Sequence, residues 1–243
     1  MNDITISDET KERLAGISTA TLTTQLFKRG LRNTYLGGLR PANPGAVNFV
    51  AEAFTLRYIS SREDIDTLEV FKDYDHPQRK AVESVAPGQA LVIDCRGVAD
   101  VASAGSILVT RLKVRGGAAI VSDGGLRDWP EIAALDFPAF AAGPAAPTNL
   151  IRHHAVEALN EPIGCAGVPV YPGDVLVGDA EGVVVLPRHL AAEVAADGLE
   201  QERLERFIMA KIEGGSPLRG VYPPDEQTVA EYEAWKAEQS RRR

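Results

Sequence analysis

The sequence predicts an α/β fold, with helices layered on a sheet and further helices following at the carboxyl end. Between residues 103 and 135, a helical pattern, a buried strand and a second helical pattern follow one another, which is typical of α/β proteins. Short apolar runs separated by turn residues between 167 and 187 predict further strands. We expect one core domain over residues 1–187, and helices over 188–243 that pack on the core or on a neighbouring subunit.

In the amino-terminal part of the chain, helical and strand patterns alternate. The expected elements are two helices within 8–28, a Gly/Pro/Asn-rich loop over 29–44, a strand pair or one long bent strand over 47–59, a helix over 67–85 broken at Pro77, and a buried strand over 90–94. The run Ser18-Thr19-Ala20-Thr21 supplies candidate caps of the second helix, because a hydroxyl side chain accepts a hydrogen bond from a free amide at a helix start.

The elements of the carboxyl-terminal part follow from apolar periodicity and turn residues. They are a helix over 103–115 ended by Gly116-Gly117, a strand over 118–121, a Gly-rich turn over 122–128, a helix near 129–135, a short strand over 137–140, a loop over 143–147, a β-meander over 167–187, a long helix over 189–213 and a polar helix after a Pro-rich turn in the tail.

Composition and charge exclude several classes of protein. Hydrophobic residues make up 44% and charged residues 25% of the 243 residues, and the formal net charge is −8. This balance is typical of a soluble globular protein, and the negative charge argues against nucleic acid and anionic membranes as partners. No signal peptide or apolar span is visible, so we expect a cytoplasmic protein.

The cysteines and histidines give no sign of a disulfide framework or a zinc site. Cys95 and Cys165 are the two cysteines in the chain, too few for a disulfide scaffold, and we expect reduced, partly buried thiols. His153 and His154 stand together without a CxxC motif, so zinc has little support.

The most informative segment begins at the run Gly105-Ser106-Ile107-Leu108. The first amides of a helix have no partners inside the helix and carry a partial positive charge. The amides of Ser106, Ile107 and Leu108 could therefore bind a carboxylate, and Gly105 would let a ligand approach the backbone closely. The sequence thus predicts an anion site at this helix start.

The segment continues to Arg127-Asp128, which adds a cation and an anion to the same predicted site. A guanidinium can bind a carboxylate through two parallel hydrogen bonds. Magnesium keeps several waters and needs only one or two protein carboxylates, so Asp128 is the candidate metal ligand. Together these residues predict a site for a small anionic 2-oxo-acid bound to a divalent cation.

Structural explanations of the same residues stay open from spacing alone. Arg127 and Asp128 could form an ordinary salt bridge. Asp128 could cap the helix that begins at Trp129, with Pro130 in its first turn. Gly124-Gly125 could simply permit a tight turn.

The run from Gly105 to Asp128, with Arg115-Gly116 and Asp123-Gly124-x-x-Arg127-Asp128, resembles the family of the regulator of ribonuclease activity A and the 4-hydroxy-4-methyl-2-oxoglutarate/4-carboxy-4-hydroxy-2-oxoadipate aldolases. The resemblance covers about residues 18–210. Its other segments are Glu52-Ala53-Phe54-Thr55, the Pro-Gly strand over 87–94, and the closing hairpin over 167–174 and 179–187.

This resemblance implies an αββα sandwich like the swivelling phosphohistidine domain, in a homotrimer or homohexamer with sites between subunits. It also implies that Arg127, helped by the Ile107 and Leu108 amides, holds the carboxylate of a pyruvate group, and that Asp128 binds Mg²⁺ or Mn²⁺. The aldolases have an acidic residue 21 positions before the arginine, where this chain has Ser106. A serine is not a general base at neutral pH without help.

We therefore predict a metal-dependent carbon–carbon lyase, performing retro-aldol cleavage or decarboxylation, with Arg127 and Ser106 at the reacting centre. Asp100 is a candidate replacement for the missing acid. Glu200, Glu202 and Glu205 are candidates for a carboxylate supplied by a neighbouring subunit, or else residues of a solvated helix face. A dehydratase or hydrolase of an oxidised sugar acid is the alternative enzyme, and a non-catalytic regulator that binds an RNA-degrading nuclease is the alternative from another class.

Overall fold

A computed structural model describes residues 6–241 of the chain. Within these residues the helices are α1 (Asp8–Ala15), α2 (Thr19–Lys28), α3 (Pro77–Ser84), α4 (Ser106–Val114), α5 (Trp129–Ala133), α6 (Ala191–Glu213) and α7 (Glu226–Arg241). The strands are β1 (Arg40–Pro41), β2 (Phe49–Ser60), β3 (Gln89–Asp94), β4 (Ala102–Ala104), β5 (Ala119–Leu126), β6 (Ala139–Pro144), β7 (His153–Ala155), β8 (Ile163–Cys165), β9 (Val168–Val170), β10 (Val175–Asp179) and β11 (Gly182–Leu186).

A mixed sheet forms the centre of this α/β fold. Its strand order is β1-β6-β5-β3-β2-β10-β11, with β4 paired to β5 and β7 paired to β2. The pairs β2–β3, β3–β5, β5–β6 and β4–β5 are parallel, whereas β10 pairs antiparallel with both β2 and β11. Parallel pairing brings the carboxyl ends of β4 and β5 to the same edge, which positions the site described below.

Apolar side chains fill both faces of the sheet. On one face, residues of α3, α4 and α5 pack against alternate residues of β2, β3 and β5, with Val82, Leu112 and Ile132 fully buried or nearly so. The other face is covered partly by the β8–β9 hairpin. A third apolar cluster joins α1, α2 and α6 to β10 and β11. Burial of alternate strand residues on two faces explains the continuous apolar runs in these strands.

The expected two helices within 8–28 are confirmed, and Ser18 caps the second by accepting a hydrogen bond from the Thr21 amide at 3.1 Å. The 47–59 segment forms one long strand. The expected break at Pro77 is also confirmed: a short 3-10 turn over Leu68–Lys72 precedes it, and Pro77 is the first residue of α3. Proline suits that position because the first helical amide needs no acceptor.

The Gly-rich turn expected over 122–128 is wrong, because residues 122–126 belong to β5. Gly125 and Leu126 pair with β4 on one side and with β6 on the other. A Cβ on Gly124 would lie 2.6 Å from the Cys95 Sγ, and one on Gly125 would lie 2.3 Å from the Ala145 Cβ. The two glycines therefore permit close packing of a central strand, not a tight turn.

Other boundaries also differ from the expectations. Residues 102–104 form β4, so the helix expected from 103 begins at Ser106. Strand β6 extends to Pro144 into the expected 143–147 loop, and β1 lies in the expected 29–44 loop. The expected meander over 167–187 is wrong in one part, since β9 pairs with β8 and not with β10. The missed strands β1 and β4 have two or three residues each and pair with partners that are distant in sequence.

The long helix expected over 189–213 is confirmed as α6, which packs against α1 and α2. Helix α7 follows, and its Tyr232 and Trp235 rings lie 5.7 and 5.6 Å from the Phe207 ring of α6. No helix within residues 6–241 combines the length and apolarity that a bilayer crossing requires.

Candidate functional site

The candidate site lies where β4 leads into α4 and β5 leads into the turn before α5. Parallel pairing places Ala104 opposite Leu126, and the Arg127 amide donates to the Ala104 carbonyl at 3.1 Å. The residues that follow the two strands, Gly105 and Arg127, therefore lie side by side although 22 positions separate them in the sequence. The sheet thus assembles both parts of the predicted site at one edge.

Gly105 permits this close approach. It occupies the N-cap position of α4 with φ −120° and ψ 175°. A Cβ at this position would lie 2.9 Å from both the Arg127 Cγ and the Asp128 Oδ2. Because its backbone is extended, this glycine is required for space and not for its conformation.

Asp128 turns its carboxylate towards the start of α4. Its backbone is left-handed, with φ 58° and ψ 40°, a conformation that costs a non-glycine residue about 1 kcal/mol or more. The Asp128 Oδ2 accepts hydrogen bonds from the Ser106 amide at 3.1 Å and from the Ser106 hydroxyl at 3.2 Å. The residue occupies the N-cap position of α5, but its side chain makes no cap hydrogen bond there. The simple capping explanation of Asp128 is therefore wrong for α5.

Arg127 is the cation of the site. Its Nε lies 3.6 Å from the Asp128 Oδ1, and the two side chains are 46% and 37% exposed. Within residues 6–241 we find no other partner for this guanidinium. An exposed pair at this distance is weak, so an anion entering the cleft can bind Arg127 at little cost.

The three amides at the helix start are not equivalent. The Ser106 amide bonds to Asp128, and the Leu108 amide donates to the Gly105 carbonyl at 3.1 Å. We find no acceptor for the Ile107 amide among the described residues. Of the three, the Ile107 amide is the one ready to receive a ligand carboxylate.

A cleft of about 350 Å³ opens at this edge of the sheet, which is within the range of small-molecule sites. Ser106, although predicted as a site residue, is not among the described residues that line it. Gly105, Ile107, Leu108, Arg127 and Asp128 form one wall. The remaining lining residues were not predicted from the sequence: Phe71, Gln78, Arg79, Ala102, Ala104, Thr148 and Asn149. Two of them lie on β4, directly before Gly105, and the others come from the distant segments 71–79 and 148–149. No local pattern in the sequence distinguishes them.

Polar contacts fix the newly identified side of the cleft. Arg79 donates to the carbonyls of Val70, Phe71 and Asp73 at 2.9 to 3.2 Å, and so holds the segment that carries Phe71. Asn149 is 8% exposed and accepts a hydrogen bond from the Thr148 hydroxyl at 3.0 Å. Neutral hydrogen-bonding groups therefore lie in the same cleft as the charged pair.

Asp128 is the carboxylate among the residues that line this cleft. Asp100, the candidate replacement acid, instead pairs with Arg152 at 3.1 Å and does not line the cleft. Within residues 6–241, no group of three or more His, Cys, Asp or Glu side chains could hold a metal ion. A cation here would accordingly depend on Asp128, on nearby neutral oxygens and on water.

The candidate carboxylates on α6 have partners inside their own chain. Glu202 accepts from the Ser18 amide at 3.0 Å and from the Ser18 hydroxyl at 2.8 Å. Glu200 pairs with Lys236 at 2.7 Å, and this hydrogen bond lowers the pKa of Glu200. Glu205 accepts a hydrogen bond from the neutral Gln201 at 2.8 Å.

Behind the site, a buried carboxylate organises the backbone. Asp123 is 5% exposed and accepts hydrogen bonds from the amides of Cys95, Gly97 and Ala166 at 2.5 to 3.0 Å. Burial raises the pKa of Asp123, while these amide bonds oppose the rise. The sequence motif contained this aspartate, but its spacing did not reveal that it fastens three separate backbone amides.

A larger groove of about 1050 Å³ lies elsewhere, around Glu52, Asp174 and Arg188. Its charged groups have structural partners. The Arg188 guanidinium lies 3.5 Å from the Glu52 carboxylate and donates to the Gly173 carbonyl at 2.8 Å. We favour the smaller cleft, because there a helix start, a weakly paired arginine and a half-exposed carboxylate converge.

Comparisons with known proteins place these features in a family context. The RraA-like family model, described as Aldolase/RraA, matches residues 6–185. A protein of Halalkalibacterium halodurans, named "Putative 4-hydroxy-4-methyl-2-oxoglutarate aldolase", is 39% identical over 109 residues, which are 45% of this chain and 51% of that protein. The match therefore spans about half of that relative. An uncharacterized protein of Methanocaldococcus jannaschii is 31% identical over 190 residues, covering 76% of this chain and 83% of its own.

A solved structure agrees with the sequence comparisons. The Streptomyces coelicolor protein RraAS2, described as an unusual member of the RNase ES inhibitor RraA protein family, is 29% identical to this chain. It superposes with a TM-score of 0.74 and covers 85% of this chain and 98% of its own.

Proposed function

Since the chain belongs to the RraA-like family, we propose that it is a divalent-metal-dependent lyase that cleaves or decarboxylates a small 2-oxo-acid. The observation that carries the proposal is the convergence of Arg127, Asp128 and the amino terminus of α4 in one cleft. A relative that is 39% identical over 109 residues is named an aldolase, which supports the same chemistry.

In this proposal, the substrate carboxylate binds between Arg127 and the start of α4. The guanidinium supplies a planar, permanently charged donor, and the Ile107 amide adds a hydrogen bond along the helix dipole. Leu108 contributes a second amide, shared with its bond to the Gly105 carbonyl. These contacts fix the orientation of the 2-oxo group before any bond breaks, and orientation accounts for a large part of enzymatic rate enhancement.

Asp128 is the residue that would hold Mg²⁺ or Mn²⁺. Carboxylate oxygen is a hard ligand that suits both cations, and Asp128 is half-exposed to the cleft. Such a cation supplies Lewis-acid stabilisation of the negative charge that develops on the 2-oxo oxygen. Arg127, beside it, keeps the carboxylate end of the substrate in place while that charge forms.

Proton transfer needs a group that this cleft does not supply by itself. Ser106 replaces the acidic residue and cannot act as a base unaided. We propose a homotrimer or homohexamer in which a water or a neighbouring subunit's carboxylate moves the proton. The rim supports such an interface, because Ile107 is 82% exposed and Phe71 is 48% exposed. We also propose that the fold is an αββα sandwich like the swivelling phosphohistidine domain.

The test is Mg²⁺-dependent pyruvate release from oxaloacetate and from 4-hydroxy-2-oxo-acids, measured with lactate dehydrogenase and NADH. We expect Arg127→Ala and Asp128→Ala each to lower kcat/KM about 100-fold or more, the effect of losing one preorganised charged contact. Arg111→Ala is the matched control, since Arg111 pairs with Glu83 on the exposed side of α4. Unchanged turnover in both site variants would refute the lyase assignment.

Two other functions are supported by particular observations. Thr148 and Asn149 place neutral hydrogen-bonding groups in the cleft, which suits the hydroxyls of an oxidised sugar acid and hence a dehydratase or hydrolase.

The likeness to a protein of an RNase inhibitor family and the net charge of −8 favour a regulator that binds a basic surface of a nuclease. A regulator would bind its nuclease equally well after substitution of Arg127 and Asp128.

A further inference from the structure

Asn149 carries an unpartnered amide group in the wall of the cleft. The residue is 8% exposed, and its Oδ1 accepts a hydrogen bond from the Thr148 hydroxyl at 3.0 Å. Within residues 6–241 we find no partner for its Nδ2, although Asn149 lines the cleft. A buried donor without an acceptor is costly to stability. This group therefore indicates a ligand that supplies an oxygen atom.

Gln78 offers the complementary group in the same cleft. Its Nε2 donates to the Ser103 carbonyl at 2.6 Å, which fixes the orientation of the side-chain amide. In the described part of the chain we find no donor to its Oε1. A hydroxyl group can both accept and donate a hydrogen bond. One ligand hydroxyl can therefore satisfy the Asn149 Nδ2 and the Gln78 Oε1, which we call the amide pair.

Strand β4 anchors both members of the amide pair. The Gln78 side chain bonds to Ser103 in this strand. The Ala102 amide donates to the Pro147 carbonyl at 2.9 Å, two residues before Asn149. The amide pair is thus built on the strand that leads into the charged end of the site.

The distance along β4 sets the length of ligand that fits. Gly105, which lies beside Arg127, is two residues beyond Ser103. An extended strand rises about 3.3 Å per residue, so these two residues are about 7 Å apart. In a 2-oxo-acid, the five bonds from C1 to an oxygen on C5 are about 1.5 Å each and span about 6 Å in an extended chain. With its carboxylate at Arg127, the ligand would place a C5 hydroxyl near the amide pair.

The remaining cation of the cleft is already engaged. Arg79 lines the cleft, and its guanidinium donates to three backbone carbonyls of the segment before α3. The amide pair itself is neutral. A neutral donor and acceptor suit a hydroxyl better than a second carboxylate.

We propose that the amide pair determines specificity by binding a C5 hydroxyl, so that the substrate is a 3-deoxy-2-oxo sugar acid with an uncharged tail. The inference rests on the proposed lyase function. Retro-aldol cleavage breaks the C3–C4 bond. The C4 hydroxyl loses its proton and becomes an aldehyde, while C3 gains a proton, so a five-carbon acid gives pyruvate and glycolaldehyde. The amide pair takes no proton and orients the tail of the substrate.

The experiment compares three substrates that undergo the same cleavage and differ at C5. This carbon carries a hydroxyl in 4,5-dihydroxy-2-oxopentanoate, is a methyl group in 4-hydroxy-2-oxopentanoate and is a carboxylate in 4-hydroxy-2-oxoglutarate. Pyruvate release is measured with lactate dehydrogenase and NADH in the presence of Mg²⁺. We expect wild type to have its highest kcat/KM for the dihydroxy acid, about tenfold above that for the methyl compound, as for one neutral hydrogen bond.

The variants assign this preference to the amide pair. Asn149→Ala should lower kcat/KM for the dihydroxy acid about tenfold and leave that for the methyl compound within about twofold of wild type. Asn149→Leu, which keeps most of the side-chain volume, should give the same result. Asn48→Ala is the matched control, because Asn48 is an exposed asparagine outside the cleft.

Two results would overturn the inference. An equal fall for both compounds in the Asn149 variants would show that this residue is merely structural. A wild-type preference for 4-hydroxy-2-oxoglutarate would show that the tail is a carboxylate, held by Arg79.

Calorimetry separates the inference from the proposed function. If wild type releases pyruvate from none of the three substrates, the lyase function fails. The amide pair is then tested by the binding of 5-hydroxy-2-oxopentanoate and 2-oxopentanoate, neither of which has a C4 hydroxyl to support cleavage. A Kd about tenfold lower for the hydroxy acid, with the difference lost in Asn149→Ala, supports the inference. Equal Kd values in wild type overturn it.

Discussion

Gly105→Ala is the sharpest test of the site geometry, because it adds one methyl group where the structure has no room. The new Cβ would lie 2.9 Å from the Arg127 Cγ and 2.9 Å from the Asp128 Oδ2. Ordinary contacts between such atoms are about 3.5 Å or longer. The Arg127 and Asp128 side chains must therefore move by about 0.5 Å or more, away from the start of α4.

The expected effect falls on catalysis and not on folding. A misplacement of about 1 Å can cost a reaction about 100-fold, so we expect kcat/KM for pyruvate release to fall about 10- to 100-fold. The backbone of Gly105, with φ −120° and ψ 175°, accepts alanine without strain. Its midpoint of thermal unfolding should therefore stay within a few degrees of wild type.

Gly164→Ala is the matched control. A Cβ at Gly164 meets no atom within 4 Å, so both the activity and the thermal midpoint should match wild type. If Gly105→Ala keeps wild-type kcat/KM while Arg127→Ala abolishes activity, the tight contact among these residues has no bearing on catalysis and our description of the site is wrong.

Three further predictions concern buried groups. His153 is buried on the Tyr58 ring, and within residues 6–241 no geometrically defined hydrogen bond reaches either ring nitrogen. Burial lowers the pKa of His153 to about 4. The unfolded chain binds this proton near pH 6.5, so up to about 3 kcal/mol of stability is lost as pH falls from 6.5 to 4. Urea titrations at pH 7.5 and 4.5 measure the free energy of unfolding, and His153→Phe should lose less of it than wild type between these two pH values. An equal loss in wild type and in the variant would contradict this prediction. Cys95 and Cys165 are buried, and burial raises the pKa of both thiols. Ellman's reagent should therefore react with neither thiol in the folded protein and with both in guanidinium, and a rapid reaction without denaturant would contradict this. Asp123→Asn replaces an acceptor of three backbone amides and should lower the free energy of unfolding by about 2–4 kcal/mol, measured by urea titration, whereas a change below about 0.5 kcal/mol would show that these bonds are dispensable.

Much of the fold follows from local patterns in the sequence. Helices α1, α2 and α6 were predicted to within a few residues, because their caps and apolar periodicity are local signals. Strand β2 was also predicted from a local signal, a run of β-branched and aromatic residues. The short strands β1, β4, β7 and β8 were missed, since each has only two or three residues. Strands β1, β4 and β7 also depend on partners that are distant in sequence, whereas β8 pairs with its neighbour β9.

The site divides in the same way. The sequence by itself determined the candidate charged groups and the helix start. Residue type and spacing were enough to single out Gly105, Ser106, Arg127 and Asp128. It misread the segment before Arg127 as a turn, since glycine permits turns and close packing equally.

Only the tertiary structure decided which groups meet. The β4–β5 pairing brings Gly105 to Arg127, the left-handed backbone of Asp128 turns its carboxylate to Ser106, and the folding of distant segments adds Arg79 and Asn149 to the cleft. The physical reason is that strand register and packing depend on partners far away in sequence, whereas caps and periodicity depend on neighbours.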